Sequence, residues 1–132
     1  MHIDSWSAQL STENAELDEQ HITLIEIGRA VVACVEGSAL SSTLCDLLDD
    51  FVAMSKLHDG LEEAILARNL CPTLEEHRAI HLLSRKKFED HLRAEQAGIG
   101  DHNALVSDLK VWAEHHISDR DLQVKKYLHA VP

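Results

Sequence analysis

Cysteine is too sparse here to hold the fold together. The 132 residues include three, Cys34, Cys45 and Cys71. The number is odd and no CxxC spacing occurs, which excludes a disulfide framework and a thiolate zinc site. Cys34 and Cys45 read as core residues and Cys71 as part of a turn. Long apolar runs are also missing. Nothing approaches the ~20 residues that span a bilayer, and Met1-His2-Ile3-Asp4 does not begin a secretory signal, so a cytoplasmic protein without membrane contact is expected. Positive charge is scarce: acids outnumber bases 23 to 12, for a formal charge of −11. That balance repels phosphate backbones and anionic lipid, which argues against nucleic acid or a membrane surface as a partner. No alternating strand pattern, internal repeat or low-complexity linker interrupts the chain.

What is present reads as helix. Hydrophobic residues make up 45% and charged residues 27%, ordinary for a globular protein, and the length suits a single domain over residues 1–132 with its own core. Residues 1 to about 17 lack helical periodicity and read as an arm anchored by Trp6. From Asp18 to Glu36, His21, Leu24, Ile25, Gly28, Val31, Val32 and Val35 recur at helical spacing until Gly37. A second stripe, entered through Ser41 and Ser42, runs from Leu40 through Leu44, Leu47, Phe51, Met54, His58, Leu61 and Glu62 to Ile65 and stops by Pro72. Thr73 and Glu76 have capping-box spacing, followed by His77, His81, Phe88 and Leu92 up to Gly98 and Gly100. Asp101 opens a fourth helix with Leu105, Leu109, Trp112 and His116 on one face. The expected fold is all-α: an antiparallel up-down-up-down four-helix bundle with an N-terminal arm and a short C-terminal helix between Asp119 and Leu128.

The stripes carry an unusual load of metal-ligand residues. His58 and Glu62 are four apart, as are His77 and His81, and residues four apart share a helix face. Measured from turns near Ser38, Pro72 and Ile99, His21 lies level with His58, Glu62 with His81, and His81 with His116, to within about one turn of 3.6 residues. Five imidazoles and a carboxylate buried at one level without partners would each cost about 1–3 kcal/mol or more; a metal removes that cost. Imidazole with carboxylate and no thiolate suits iron, manganese or zinc, and the ligands outnumber what one tetrahedral zinc ion uses. A two-metal centre needs a second carboxylate near His116, where Asp119 and Asp121 both lie. His2, His91, His102, His115 and His129 read as surface histidines.

Taken together, DEQH at 18–21, HxxxE at 58–62, HxxxH at 77–81 and the run Trp112-x-x-x-His116-Ile117-x-x-x-Asp121 resemble hemerythrin in its bacterial single-domain form, from Trp6 to about Tyr127. The resemblance implies a four-helix bundle around two iron ions (Fe2+/Fe3+) with an oxo or hydroxo bridge. His77, His81 and His116 would hold one iron and His21 and His58 the other, with Glu62 and Asp121 bridging. It further implies reversible dioxygen binding, as carrier, store or sensor rather than enzyme, in a pocket lined by Leu24, Asp59, Trp112, Ala113 and Ile117. The chain departs from the family pattern around that pocket. Asp59 stands where the family has phenylalanine, Ala113 where a large aliphatic is customary, Thr12-Glu13-Asn14 replaces Val-Gly-Ile, and Cys71 replaces tyrosine. An inward Asp59 would make the pocket polar; a small helix rotation would turn it to solvent. A polar pocket implies the alternative of a di-iron enzyme or redox-sensing module reacting with peroxide or NO. A signalling-domain partner would make the chain a ligand-sensing interaction module.

Overall fold

The computed structural model describes residues 3–129, the side chains of 117–120 excepted. Four α-helices, α1 (Ala15–Glu36), α2 (Ser41–Arg68), α3 (Leu74–Gln96) and α4 (His102–Trp112), form a helical bundle. Among the described residues there is no strand. α2 packs most heavily against α3 and α1, and α4 lies against α1 and α3. No helix among the described residues is long and apolar enough to cross a membrane.

The arm is shorter than expected, because α1 begins three residues before Asp18. The Asn14 side chain accepts a hydrogen bond from the Leu17 amide (3.2 Å), and Glu16 and Asp18 put negative charge in the first turn, where the helix dipole favours it. What remains of the arm carries a 3-10 turn at Ala8–Leu10 and packs Ile3 against the bundle. A Cβ on Gly28 would lie 3.4 Å from the Ile3 side chain, so the glycine lets the arm approach α1 closely.

The first three helices end alike. Ser38 (φ 53°), Leu70 (φ 57°) and Gly98 (φ 75°) are left-handed. Just beyond them the amides of Ala39, Cys71 and Ile99 donate to Cys34, Leu66 and Ala94 carbonyls at 3.1, 2.9 and 3.0 Å, the closure of a Schellman-type helix end. α1 ends at Glu36 with Gly37 as its C-cap, where the sequence places the stop, although the left-handed residue is Ser38 and Gly37 keeps a φ of −85°. The capping box expected at Thr73 does not form. Its backbone (φ −105°, ψ 19°) makes no side-chain cap, and its hydroxyl faces Cys71 Sγ at 3.5 Å. Leu40 precedes the first turn of α2 and is exposed, so the stripe starts at Leu44. The segment expected as a short fifth helix carries a 3-10 turn at Lys125–Tyr127.

Each helix turns inward a seam of residues alternately four and three apart. In α1 it is Leu17, His21, Leu24, Gly28 and Val31, and in α2 Leu44, Leu48, Phe51, Ser55, His58, Glu62 and Ile65. In α3 it is His77, His81, Ser84 and Phe88, and at the end of the chain Leu105, Leu109, Trp112 and His116. This is the seam by which bundled helices interlock. Its apolar members form two separate cores. The larger includes Leu24, Leu48, Phe51, Phe88, Leu109 and Trp112, with Phe51 edge-on to Phe88 (4.9 Å) and Trp112 (5.1 Å). The smaller contains Leu17, Ile65, Leu66, Cys71, Val124 and Leu128. His21, His58, Glu62, His77, His81 and His116 occupy the seam between them.

Candidate metal centre

Six of the seven sequence-predicted ligands lie on the seams, so the phase that packs the core also aims them inward. The seventh, Asp121, does not continue the four-three rhythm after His116. In an α-helix, residues five apart point about 140° away from each other. From Ala113 to Asp121 the chain is instead a π-helix, whose i→i+5 bonding turns residues five apart back toward one face. The wider turn carries Asp121 into the same buried space as His116. All seven side chains are buried, and the structure brings every one of them together.

Their spacings have the reach of metal coordination. Two atoms each about 2.1 Å from one ion can be no more than about 4.2 Å apart. Glu62 Oε2 lies 3.2 Å from His58 Nε2, while its Oε1 lies 3.4 Å from His77 Nε2 and 3.6 Å from His81 Nε2. Asp121 is divided in the same way: Oδ2 is 2.7 Å from His21 Nε2 and 3.7 Å from His116 Nε2, and Oδ1 is 3.7 Å from His77 Nε2. Each carboxylate thus turns one oxygen to the His21–His58 side and the other to the side of His77. His116 stands between the two sets, its ring centre 5.1 Å from that of His81 and 5.8 Å from that of His58. It groups with His21 and His58 around Glu62 and Asp121, and with His81 around Asp59.

Two neighbours fix which nitrogens face inward. His58 Nδ1 bonds the Gln20 side-chain oxygen at 2.9 Å and His81 Nδ1 bonds Glu63 Oε2 at 2.8 Å. With the Nδ1 hydrogen donated outward, each Nε2 presents a lone pair to the centre. Seven buried nitrogen and oxygen atoms facing the cluster have no hydrogen-bond partner, on Glu62, His77, His81, His116 and Asp121. Orphaned atoms at this density demand an explanation, and cations between them supply it. The donor set, imidazole nitrogens and hard carboxylate oxygens without thiolate, fits iron, manganese or zinc.

The electrostatics of the metal-free cluster divide the imidazoles. Burial holds the His81 and His116 imidazoles down at about 3, against the pull of Asp121, which keeps both neutral and able to coordinate. Burial also disfavours a charged His58, yet the nearby carboxylates of Glu62 (3.2 Å) and Asp121 (3.9 Å) outweigh it and raise the ring to about 10, so in the metal-free chain His58 holds a proton that a bound cation would displace. Burial and the negative charge of Asp121 push Glu62 well above the ordinary carboxylate range. Two carboxylates this close need positive charge between them.

The expected pocket is assembled only in part. Leu24 and Trp112 are buried in the larger core and Ala113 packs on it; the Ile117 side chain lies outside those described. Trp112 stacks on His116 (5.6 Å between ring centres, 16° between planes) and lines a groove of about 320 Å³ between α3 and α4, which Leu24, Asp59 and Ala113 do not line. Asp59 points inward: it is 4% exposed, its Oδ2 accepts from Arg85 Nη1 at 2.9 Å, and its Oδ1 lies 3.7 Å from His81 Nε2. Burial raises it to about 6 even though Arg85 opposes the rise.

Of the histidines read as surface residues, His102, His115 and His129 are exposed, and His2 lies outside the described residues. His91 is half-buried against Asp108 at 2.7 Å. Sequence reasoning missed Gln20, Glu63 and Arg85, whose only signal is adjacency to His21 and Glu62 and the i, i+4 step from His81. Compared with known proteins, the chain matches no family model and no curated protein.

Proposed function

We propose that this chain binds dioxygen reversibly at a non-haem di-iron centre held by His21, His58, Glu62, His77, His81, His116 and Asp121, as a hemerythrin-like carrier, store or sensor in the cytoplasm. The observation that carries the reading is the division of Glu62 and Asp121, each offering one oxygen to either set of imidazoles. Contacts pairing Phe51 with Phe88, Asp59 with Arg85 and Glu63 with His81 support an antiparallel α2 and α3, and His91 with Asp108 supports the same for α3 and α4.

Iron bound here would supply reversible electron exchange with dioxygen. The protein's part is to hold and to exclude. Gln20 and Glu63 keep the Nε2 atoms of His58 and His81 aimed inward. Trp112 covers His116 from the larger core, and the groove beside it, lined by Ile80, Leu83, Phe88 and Val111, offers a small apolar gas a path to His116. The strongly acidic surface disfavours nucleic acid as a partner.

The inward Asp59 favours a second reading, a di-iron enzyme or redox sensor reacting with peroxide or NO, because a buried carboxylate beside His81 makes that side of the site polar. One experiment separates the two. Metal analysis of iron-loaded protein is expected to give two irons per chain, and an anaerobically reduced sample exposed to air is expected to develop a charge-transfer band that vacuum removes. A diferric spectrum that vacuum cannot reverse would replace the carrier reading with the second. Failure to retain iron would overturn both.

A further inference from the structure

Asp59 stands off the seam, one residue past His58, and belongs to none of the ligand positions discussed so far. Its two oxygens face different ways. Oδ2 accepts from Arg85 Nη1 at 2.9 Å, while Oδ1 lies 3.7 Å from His81 Nε2. Asp59, His81 and His116 each bring a ligand-type atom within 4.8 Å of the others. A pair made only to join α2 to α3 would have no reason to aim its second oxygen at an imidazole.

The meeting is between acceptors. Glu63 takes the hydrogen on His81 Nδ1, so Nε2 faces Asp59 Oδ1 with a lone pair, and a carboxylate oxygen answers with another. The Nε2 atoms of His81 and His116 are buried without a hydrogen-bond partner, in side chains 1% and 6% exposed. A cation between the facing acceptors would satisfy both. The separation of 3.7 Å is one that two ligands of a single ion can span, each at about 2.1 Å.

We propose that Asp59 is an eighth metal ligand, placing a third carboxylate on the His81–His116 side of the centre while Arg85 fixes its orientation through the other oxygen. This rests on reading the cluster as a two-metal centre, but not on dioxygen as its ligand. The pair with Arg85 also explains why a buried carboxylate is tolerated before metal arrives, since the guanidinium offsets its charge.

Cobalt(II) alone, titrated into the metal-free chain against a competing chelator, tests the proposal. The wild-type chain is expected to take two cobalt ions. Asp59→Asn keeps the shape and removes the charged ligand; one of the two affinities is expected to fall 10- to 100-fold, with a changed visible ligand-field absorption and the other site unaffected. Two ions bound by Asp59→Asn with wild-type affinities and an unchanged spectrum would overturn the proposal and leave the two-metal reading standing. A wild-type chain that binds no cobalt overturns both. Should Asp59→Asn fail to fold by circular dichroism, Asp59→Cys decides: a thiolate-to-cobalt charge-transfer band supports coordination from position 59, and its absence counts against it.

Discussion

At the scale of single residues, the centre depends on side chains that never touch its interior. Gln20 and Glu63 hold the His58 and His81 rings through their Nδ1 atoms. Replacing either with alanine is expected to weaken metal binding 10- to 100-fold, measured by chelator competition, with the thermal midpoint of the metal-free chain nearly unchanged. Six of the seven ligands were legible in the sequence because they sit on the core-facing rhythm, where a histidine or glutamate is out of place; Asp121 lies off it and followed only from the family resemblance. Gln20, Glu63 and Arg85 sit beside that rhythm and read as ordinary surface polar residues. Asp59 was legible as a departure but not in its orientation, because one residue's rotation of a helix separates solvent from interior and only packing decides it.

At the scale of elements, helix ends are where the chain carries strain. Leu70 is left-handed and 85% exposed, a conformation costing a residue with a Cβ about 1–2 kcal/mol. Leu70→Gly removes that strain and no buried contact, and is expected to stabilise the protein by about 1 kcal/mol, seen as a higher midpoint in urea with an unchanged slope. The four helices followed from apolar spacing and breakers, whereas Ser38 and Leu70 as left-handed closures could not be read, since neither residue type favours that backbone. The π-helix at Ala113–Asp121 left one trace, the five-residue step from His116 to Asp121, which an ordinary α-helix cannot turn to a single face.

At the scale of the whole molecule, acid should loosen the fold through two carboxylates that are not among the proposed ligands. Burial alone would raise Asp18, but hydrogen bonds from Ser11 and Thr12 outweigh it and lower it. Glu95 is lowered likewise by Ser41 and His102 against its own burial. A carboxyl group depressed in the folded state contributes stability above its unfolded pKa and loses it as pH falls through the folded one. Stability is therefore expected to decline below the ordinary carboxylate range of about pH 4, and the double variant Asp18→Asn, Glu95→Gln to show a flatter acid limb in urea midpoints measured against pH. Metal removal acts on the centre itself. The chelated protein is expected to melt lower than the loaded one, and His77→Ala to lose both bound metal and most of that difference.

The two apolar cores give the metal a further task. With ions in place, the ligands from Leu17's helix and from Trp112's end of the chain are cross-linked, and the molecule should melt as one cooperative unit. Without them, a layer of mutually repelling, unsatisfied groups divides a large oily block from a small one. Calorimetry of the chelated chain should then resolve two transitions, the Leu17–Leu128 block giving way first, where the loaded chain shows one.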